Sequence, residues 1–255
     1  MLKITIITVC YNSVSTISDT ITSVARQNYD NIEHIIVDGG STDGTLDIVR
    51  SAPGISNYIS ESDNGIYDAM NKGVALASGE VIGVLNADDF YPDSDVLNSV
   101  AQIFLDQPDI DMVLGDVDFV RSVNVTKMVR SYSAIKFSPW KLRFGFMPPH
   151  PGAFIKKSAY DQVGQYKLGY KIGADFDMFV RMLLVHKLDY VKLEKNLVRM
   201  RIGGVSTSGF GSYITSTKEI LRSLNENEIY SNVFMILMRL PIKYVQKILP
   251  QWKVK

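Results

Sequence analysis

The segment VIGVLNADD, residues 81–89, decides the fold, because an apolar run of strand length leads directly into the paired carboxylates of Asp88 and Asp89. Such a run is typical of a buried parallel strand, and open α/β sheets bind their ligands at the carboxyl ends of these strands. Two adjacent carboxylates stay ionised at low cost only beside a cation, so a divalent metal that also carries phosphates is the simplest partner. The alternative is a solvated turn rich in Asp.

The composition indicates a globular protein and argues against nucleic acid as a partner. The 255 residues include 27 basic and 27 acidic side chains, so no net positive field attracts a polyanion. Cys10, the one cysteine, lies in an apolar run and is expected to be a small core residue rather than a nucleophile. The run 3–9 lacks a signal-peptide pattern, so we expect a cytoplasmic location.

Strand-like runs alternate with helical spacing along the first ninety residues. The apolar run 32–37 is followed by a predicted helix at 45–51, a weaker strand at 58–60 and a helix at 66–77. This alternation predicts an α/β fold with a Rossmann-like, mostly parallel sheet and helices on both faces.

Beyond residue 91 the pattern becomes mixed. A helix is predicted from Asp95, and shorter strands are predicted at 112–114 and 126–132. Prolines punctuate the following loops, but no low-complexity linker divides the chain. We therefore predict one catalytic domain at 1–205, with a ligand-binding half at 1–90 and a mixed half at 91–205, followed by a helical extension at 206–255.

The loop at 38–44, DGGSTDG, follows the second predicted strand and lies on the same sheet edge as Asp88 and Asp89. Its glycines permit close approach of a ligand, and Asp38 is placed to accept a hydrogen bond from a base or a ribose hydroxyl. Asp43 is assigned to helix capping instead. Neither a Walker pattern nor a Gly-x-Gly-x-x-Gly run occurs, so nothing specifies ATP or NAD.

A second acidic site is predicted at the segment GADFD, residues 173–177. Apolar residues recur at helical spacing after it, which places Asp175 near the start of a helix. A carboxylate there is either a general base or an ordinary cap, and a helix dipole would lower its pKa. Asp177 is expected to lie on the polar, solvated face of the same helix.

Five segments together resemble the inverting glycosyltransferases of family 2. They are TVCYN at 8–12, VDGGSTDGT at 37–45, DNGIYDAMNKG at 63–73, SGE at 78–80 and LNADD at 85–89. Residues 63–73 resemble a bacterial branch that builds O-antigen, capsule or exopolysaccharide. The match is good over the first ninety residues and loose over the next hundred. The fold implied is GT-A, with residues 91–205 as the acceptor side.

The resemblance implies how the nucleotide is bound. Tyr11 would flank the uracil, Val9 would supply backbone contacts, and Asp38 would lie by the base and ribose. Many similar enzymes have a second Asp, which in some of them holds the base, where this chain has Gly39. That departure weakens the assignment of Asp38.

The resemblance also implies a metal and phosphate site. Asp89 would coordinate Mg²⁺ or Mn²⁺ across the diphosphate, and Asp88 would contact ribose or water on the metal. Asp63 and Asn71 would line the nucleotide pocket or brace the metal loop. Lys72 would face a phosphate, or else lie on an exposed helix surface.

Transfer with inversion needs a base that deprotonates the acceptor hydroxyl. Similar enzymes carry an acidic pair here whose Asp is the base. In this chain Ala174 replaces the first member and Asp175 keeps the second, so Asp175 is preferred over Asp177. His150, between prolines in an extended loop, is either a phosphate or acceptor contact or a surface histidine.

The last residues predict an amphipathic helix. Its apolar face consists of Ile242, Val245, Ile248, Leu249 and Trp252. Its cations are Arg239, Lys243, Lys247, Lys253 and Lys255. Such a helix suits an interface with anionic lipid, but it is too short to span a bilayer, which takes about 20 apolar residues. The alternative is a terminal helix packed on the core.

The sequence therefore predicts a metal-dependent, inverting hexosyltransferase that uses a UDP-sugar. Its acceptor would be a polyprenyl-diphosphate-linked saccharide of surface polysaccharide assembly, and residues 231–255 would hold it to the inner face of the cell membrane. UDP rather than GDP or dTDP follows from family frequency alone. The alternatives are a nucleotidyltransferase and a catalytically inactive nucleotide-sugar-binding protein.

Overall fold

The structure, a computed structural model, describes residues 1–122, 124–203 and 210–240. One mixed sheet contains the strands β1 Ile4–Cys10, β2 Ile32–Asp38, β3 Asn57–Ser60, β4 Val81–Val84, β5 Met112–Arg121, β6 Asn124–Tyr132, β7 Ala153–Lys156 and β8 Tyr190–Arg201. The helices are α1 Ile17–Ala25, α2 Thr45–Ser51, α3 Ile66–Leu76, α4 Val96–Asp106, α5 Lys157–Val163, α6 Ala174–Val180, α7 Phe210–Glu226 and α8 Val233–Leu237. This is the mixed α/β architecture that the sequence predicted.

The first half of the sheet is parallel, in the order β3-β2-β1-β4. All residues of β1 and β4 are buried, since helices cover both faces of these central strands. Gly73 in α3 allows that helix to lie close against β1, because a Cβ there would meet Ile7 at 2.3 Å. The predicted helix and strand positions of residues 32–77 agree with the structure to within a residue.

The second half of the sheet combines antiparallel and parallel pairings. β7 lies between β4 and β5 and is antiparallel to both, and β6 is antiparallel to β5. β5 is much longer than the predicted strand at 112–114, because its later residues pair with β6 and, in parallel, with β8. After Gly115, buried residues of β5 are mixed with partly buried and exposed ones, because this part of the strand is less covered.

The described helices after residue 205, α7 and α8, contribute to this core. Ile220 and Leu224 of α7 are buried in the cluster that also contains the apolar residues of α3 and α6. α8 follows and packs on the short 3₁₀ turn Pro139–Phe144. The predicted amphipathic helix beyond Pro241 lies outside the described residues. Among the residues that the structure describes, no helix is long and apolar enough to cross a bilayer.

Three strand ends meet at one edge of the parallel half. The Gly39 N–H donates to the Cys10 carbonyl oxygen at 2.9 Å, so the ends of β1 and β2 run side by side. The Ala87 N–H donates to the Val9 carbonyl oxygen at 3.3 Å, which holds the turn after β4 against β1. The three loops that carry the predicted site therefore share one crevice.

Candidate functional site

Tyr11, Gly39 and Asp63 converge at the ends of the first two strands. The Tyr11 side chain is exposed and accessible to a ligand. A Cβ on Gly39 would stand 2.5 Å from Asp63 Oδ2 and 3.5 Å from Tyr11 Cδ2. The Asp63 carboxylate thus takes the space that a side chain at position 39 would fill. Its other oxygen, Oδ1, accepts the Gly65 N–H at 2.8 Å, which fixes the carboxylate in a turn before α3.

Asp38 is fully buried and holds its own loop together. Oδ2 accepts from the Gly40 and Ser41 N–H groups at 3.2 and 3.0 Å and from Ser60 Oγ at 2.7 Å. Burial alone would raise the pKa of this carboxyl, but the hydrogen bonds from Ser41 and Ser60 hold it below its usual value. Asp38 therefore shapes the loop next to Tyr11, and its predicted contact with the base and ribose has no support in this geometry.

Asn71 and Lys72 make contacts within the fold. Asn71 is buried, and its amide donates to the Tyr166 carbonyl oxygen at 2.9 Å and accepts the Tyr166 N–H at 2.8 Å, so it joins α3 to the mixed half rather than lining a nucleotide pocket. The Lys72 ammonium pairs with Glu61 at 2.8 Å and Asp68 at 3.7 Å. The backbone of Val9 is engaged in the sheet through Val37 and Ala87.

The acidic turn after β4 contains one accessible and one buried carboxylate. Asp88 is partly exposed, whereas Asp89 is buried beneath it and accepts one hydrogen bond from Asn86 Nδ2 at 3.2 Å. Burial, followed by the charge of Asp88, raises the pKa of Asp89 well above its ordinary value. Arg201 at the end of β8 donates to the Asp88 carbonyl oxygen at 2.6 Å and pairs with Asp19, which fixes the turn.

The donor set of this turn fits a hard divalent cation. Asp89 Oδ1 and Asn86 Oδ1 are buried and have no hydrogen-bond partner among the described residues. Unpaired buried oxygens are costly, and carboxylate and amide oxygens are the ligands that Mg²⁺ and Mn²⁺ accept. The described residues bring no three His, Cys, Asp or Glu side chains together as a complete metal cage. An ion here would therefore need oxygens from a ligand such as a diphosphate.

Asp175 lies in the first turn of α6 and is partly buried. Tyr67 of α3 donates to the Ile172 carbonyl oxygen at 2.5 Å and lies 3.4 Å from Asp175 Oδ1. Burial raises the pKa of Asp175 to about 6, and the Phe176 N–H and the Tyr67 hydroxyl oppose that rise. The helix dipole that would lower this pKa is outweighed by burial. A carboxyl with this pKa is well matched to accept a proton at neutral pH.

Asp177 is not solvated, and the prediction of a polar helix face was wrong. Its side chain is fully buried, where it accepts from Arg181 Nε at 2.8 Å, Lys167 Nζ at 3.2 Å and Ser223 Oγ at 2.9 Å. Charges are rarely buried without such partners. Asp177 therefore joins α6 to α7 and is not available as a base.

His150 is likewise internal. Its Nε2 is 2.9 Å from the Tyr166 hydroxyl, and burial lowers the pKa of the imidazole to about 4, so the ring is neutral. The expected extended loop is a 3₁₀ turn over His150–Gly152. A buried neutral ring is a poor phosphate ligand, and the predicted acceptor or phosphate contact has no support in this structure.

Two residues of this region were missed at the level of sequence. Tyr67 stands within the DNGIYDAMNKG segment, and its apolar helical spacing gave no sign of a contact with Asp175. Arg201 is more than a hundred residues from Asp88 along the chain. The pairing of β8 with β5 and the backbone hydrogen bonds between Phe90 and Arg199 bring it to the acidic turn.

The parallel half, the antiparallel strand β7 beside β4 and the acidic turn after β4 define the GT-A fold. Residues 5–164 match glycosyl transferase family 2, and the chain belongs to that family.

Curated relatives are similar over part of their length. A PGL/p-HBAD biosynthesis glycosyltransferase of Mycobacterium bovis is 37% identical over 163 residues, which are 62% of this chain and 61% of the relative. An uncharacterised glycosyltransferase of Mycobacterium tuberculosis is 29% identical over 213 residues, 82% of this chain and 77% of the relative. The first match thus spans less than two thirds of that relative.

Solved structures share the fold at low identity. S. aureus TarS 1–349 in complex with UDP-GlcNAc has a TM-score of 0.68 and 19% identity, covering 100% of this chain and 76% of that one. The mannosyltransferase PcManGT of Pyrobaculum calidifontis, in complex with GDP-Man and Mn²⁺, has a TM-score of 0.65 and 18% identity, covering 97% and 70%.

Proposed function

We propose that this protein is a metal-dependent, inverting glycosyltransferase that moves a hexose from a UDP-sugar to a lipid-linked saccharide acceptor. The proposal rests on the position of α3 between two groups of candidate site residues. The turn before α3 places Asp63 beside Gly39 and Tyr11, and the first turn of α3 places Tyr67 against Asp175. One helix would thus position both a base-binding carboxylate and a general base. The solved complexes of UDP-GlcNAc and GDP-Man on this fold support a nucleotide-sugar donor.

The acidic turn supplies the leaving-group side of the reaction. Asp88 is accessible and Asp89 lies beneath it with an unpaired oxygen, so together they would hold Mg²⁺ or Mn²⁺ against the diphosphate. When bound, this ion would offset the negative charge that develops on the departing diphosphate. Arg201 keeps the turn in place through the Asp88 carbonyl oxygen and Asp19. A Mn²⁺ complex on the same fold supports this assignment.

Asp175 supplies the acceptor side. Its carboxylate would take the proton from the acceptor hydroxyl as that oxygen attacks the anomeric carbon and the bond to the diphosphate breaks. Attack from the face opposite the leaving group inverts the anomeric centre, so an α-linked donor yields a β-linked product. The pKa of about 6 keeps Asp175 ionised at neutral pH while leaving it more basic than a free carboxylate.

Uracil recognition is assigned to Asp63 together with the Tyr11 ring. Asp63 Oδ2 occupies the position of a residue-39 side chain, and a carboxylate there is able to accept a base N–H. Gly39 is required because any Cβ would displace that oxygen. The glycine that replaces the second Asp of similar enzymes at position 39 therefore leaves the space that the Asp63 carboxylate occupies.

Asp63→Asn is expected to weaken UDP binding roughly 10- to 150-fold, since a hydrogen bond to a charged group contributes about 1.5–3 kcal/mol. Gly39→Ala should act in the same direction by pushing Asp63 aside. Isothermal titration calorimetry with UDP and Mn²⁺ measures both, and the exposed Asp47→Asn on α2 is the control. Unchanged affinity in Asp63→Asn would remove Asp63 from the base site.

The described part of the carboxyl end supports contact with a membrane surface. Phe234 is 82% exposed and Met238 57% exposed, and Tyr230 and Val233 are exposed near them. The exposed aromatic Trp140 lies in the 3₁₀ turn on which α8 packs. Exposed apolar side chains next to a basic segment suit the headgroup region of anionic lipid. Arg239 is not one of the cations involved, because it is buried and donates to Thr217 Oγ1 at 2.8 Å.

Phe234→Ser with Met238→Ser is expected to weaken binding to phosphatidylglycerol vesicles about 100-fold or more, because each apolar side chain would contribute about 1.5–3 kcal/mol on entering the lipid. Leu105→Ser on α4, where the side chain is about as exposed as that of Met238, is the control. Equal vesicle binding by both variants would place the membrane contact elsewhere or exclude it.

Turnover tests the proposed function. The full chain is incubated with Mn²⁺ and UDP-glucose, UDP-galactose or UDP-N-acetylglucosamine in the presence of a bacterial lipid extract. Metal-dependent release of UDP with a labelled sugar in the lipid fraction supports the proposal. Release of pyrophosphate from a nucleoside triphosphate would favour a nucleotidyltransferase, and binding of UDP without turnover would favour an inactive protein.

A further inference from the structure

A buried glutamate on α7 binds the segment that leads into Asp175. Glu219 accepts the N–H groups of three successive residues: Lys171 at 2.7 Å on Oε1, and Ile172 at 3.0 Å and Gly173 at 2.9 Å on Oε2. Its side chain is buried. A buried carboxylate is stable only when it is hydrogen-bonded in this way, so these contacts hold the segment strongly.

The segment 171–173 in turn determines where Asp175 stands. The Ile172 carbonyl oxygen accepts the Tyr67 hydroxyl, and the same hydroxyl faces Asp175 Oδ1. Gly173 immediately precedes α6, and a Cβ there would stand 3.2 Å from both Glu219 Cβ and Oε2. Close approach of α7 to this point therefore depends on the glycine.

Two other polar side chains of α7 make different contacts. Glu226, on the same helix, pairs with Lys167 at 3.0 Å and Arg222 at 2.6 Å and does not bind the segment 171–173. Ser223 binds Asp177. Helix docking and segment binding are thus carried by separate side chains, which allows them to be tested separately.

We infer that Glu219 is a positioning residue that sets the place of Asp175, so that α7 is part of the catalytic apparatus. This inference rests on the proposed role of Asp175 as base. Glu219 acts on Asp175 in two ways. Its hydrogen bonds fix the backbone before α6, and its negative charge adds to burial in opposing ionisation of Asp175. The other titratable groups that face Asp175 are Tyr67 of α3 and Tyr166.

Glu219→Gln tests the inference. The glutamine amide replaces one carboxylate oxygen with an N–H₂ group, which cannot accept a hydrogen bond from a backbone N–H. The segment 171–173 should therefore shift. We expect kcat for UDP release from the active UDP-sugar to fall about 10-fold or more with the donor KM unchanged, since small misplacements of a catalytic group are costly. Loss of the negative charge should also move the acidic limb of the pH profile to lower pH. Glu226→Gln, the matched control, should change neither.

Direct observation of Asp175 provides a readout independent of turnover. In carboxyl ¹³C NMR titrations, the pKa of Asp175 should fall in Glu219→Gln and stay unchanged in Glu226→Gln. Identical titrations in both variants, with identical kcat, would overturn the inference.

The double variant separates this inference from the proposed function. If Glu219 acts through Asp175, Glu219→Gln should add little to the loss already caused by Asp175→Asn. Additive losses would show that Glu219 acts elsewhere and would overturn the inference alone. Full turnover in Asp175→Asn by itself would instead overturn the assignment of the base.

Discussion

Asp175→Asn is expected to lower kcat for sugar transfer about 100-fold or more while leaving donor affinity unchanged. The amide has nearly the shape of the carboxyl and cannot accept the acceptor's proton. The hydrogen bonds of Asp175 come from Tyr67 and the Phe176 N–H and involve neither Asp63 nor Asp88, so UDP binding should not depend on its charge. Steady-state kinetics and UDP calorimetry on the same preparation measure the two quantities.

The pH dependence of the unmodified enzyme gives a second reading of Asp175. Burial raises its pKa to about 6, so the carboxylate form is present above that pH and the inactive acid form below it. Turnover should therefore fall about tenfold per pH unit below pH 6 and level off above it. Asp175→Asn should lack this limb. Asp177→Asn should keep it while lowering the melting temperature, because it leaves the buried Arg181 guanidinium without its carboxylate partner. A limb that persists in Asp175→Asn would contradict the assignment.

Asp88→Asn is expected to abolish the effect of Mn²⁺ on UDP binding. Asp88 is the accessible carboxylate of the turn, and losing one partner of a charge pair costs about 2–5 kcal/mol, or roughly 30- to 5,000-fold in Kd. Its buried neighbour Asp89 is a less clean target, since Asp89 also accepts from Asn86 within the fold. Calorimetry with UDP at saturating Mn²⁺ and in excess EDTA measures the loss.

Asp93→Asn is the matched control for this variant. Asp93 follows the same turn but is exposed and pairs with Lys195 at 3.7 Å. It should retain the full effect of Mn²⁺. Metal-enhanced UDP binding that survives in Asp88→Asn, with Asp89→Asn equally unaffected, would show that the ion is bound elsewhere or not at all.

The positions of the strand ends were predictable from sequence, whereas the partners of the buried polar groups were not. The apolar runs before Asp38 and Asp88 mark parallel strands, and parallel strands bring their carboxyl ends to one edge whatever the rest of the chain does. Local pattern is enough for that inference. Asp38 was nevertheless assigned to the ligand, because the hydroxyl of Ser60, twenty-two residues away, is invisible to local pattern.

The partners of Asp177 and His150 were even less predictable from local sequence pattern. Asp177 lies close to the polar start of the helix, and helical periodicity alone predicts that its side chain is solvated. Its actual partners include Ser223 of α7 and Asn227 just after that helix, about fifty residues later in the chain. His150 is buried for a similar reason, since Tyr166 and Phe179 enclose its ring. Whether a carboxylate or imidazole meets a ligand depends on such long-range packing, which sequence spacing does not contain.

A ligand-induced melting shift tests whether the protein binds UDP through a metal at the acidic turn. The full chain is heated with UDP, GDP, dTDP, ATP or NAD, each with and without Mn²⁺. A nucleotide present at 100 times its Kd stabilises the folded state by about 2.7 kcal/mol, which corresponds to roughly 5–10 °C for a chain of this size. We expect such a shift with UDP, requiring Mn²⁺ and lost in Asp88→Asn. A shift with ATP in place of UDP, or no shift with any nucleotide, would contradict this expectation.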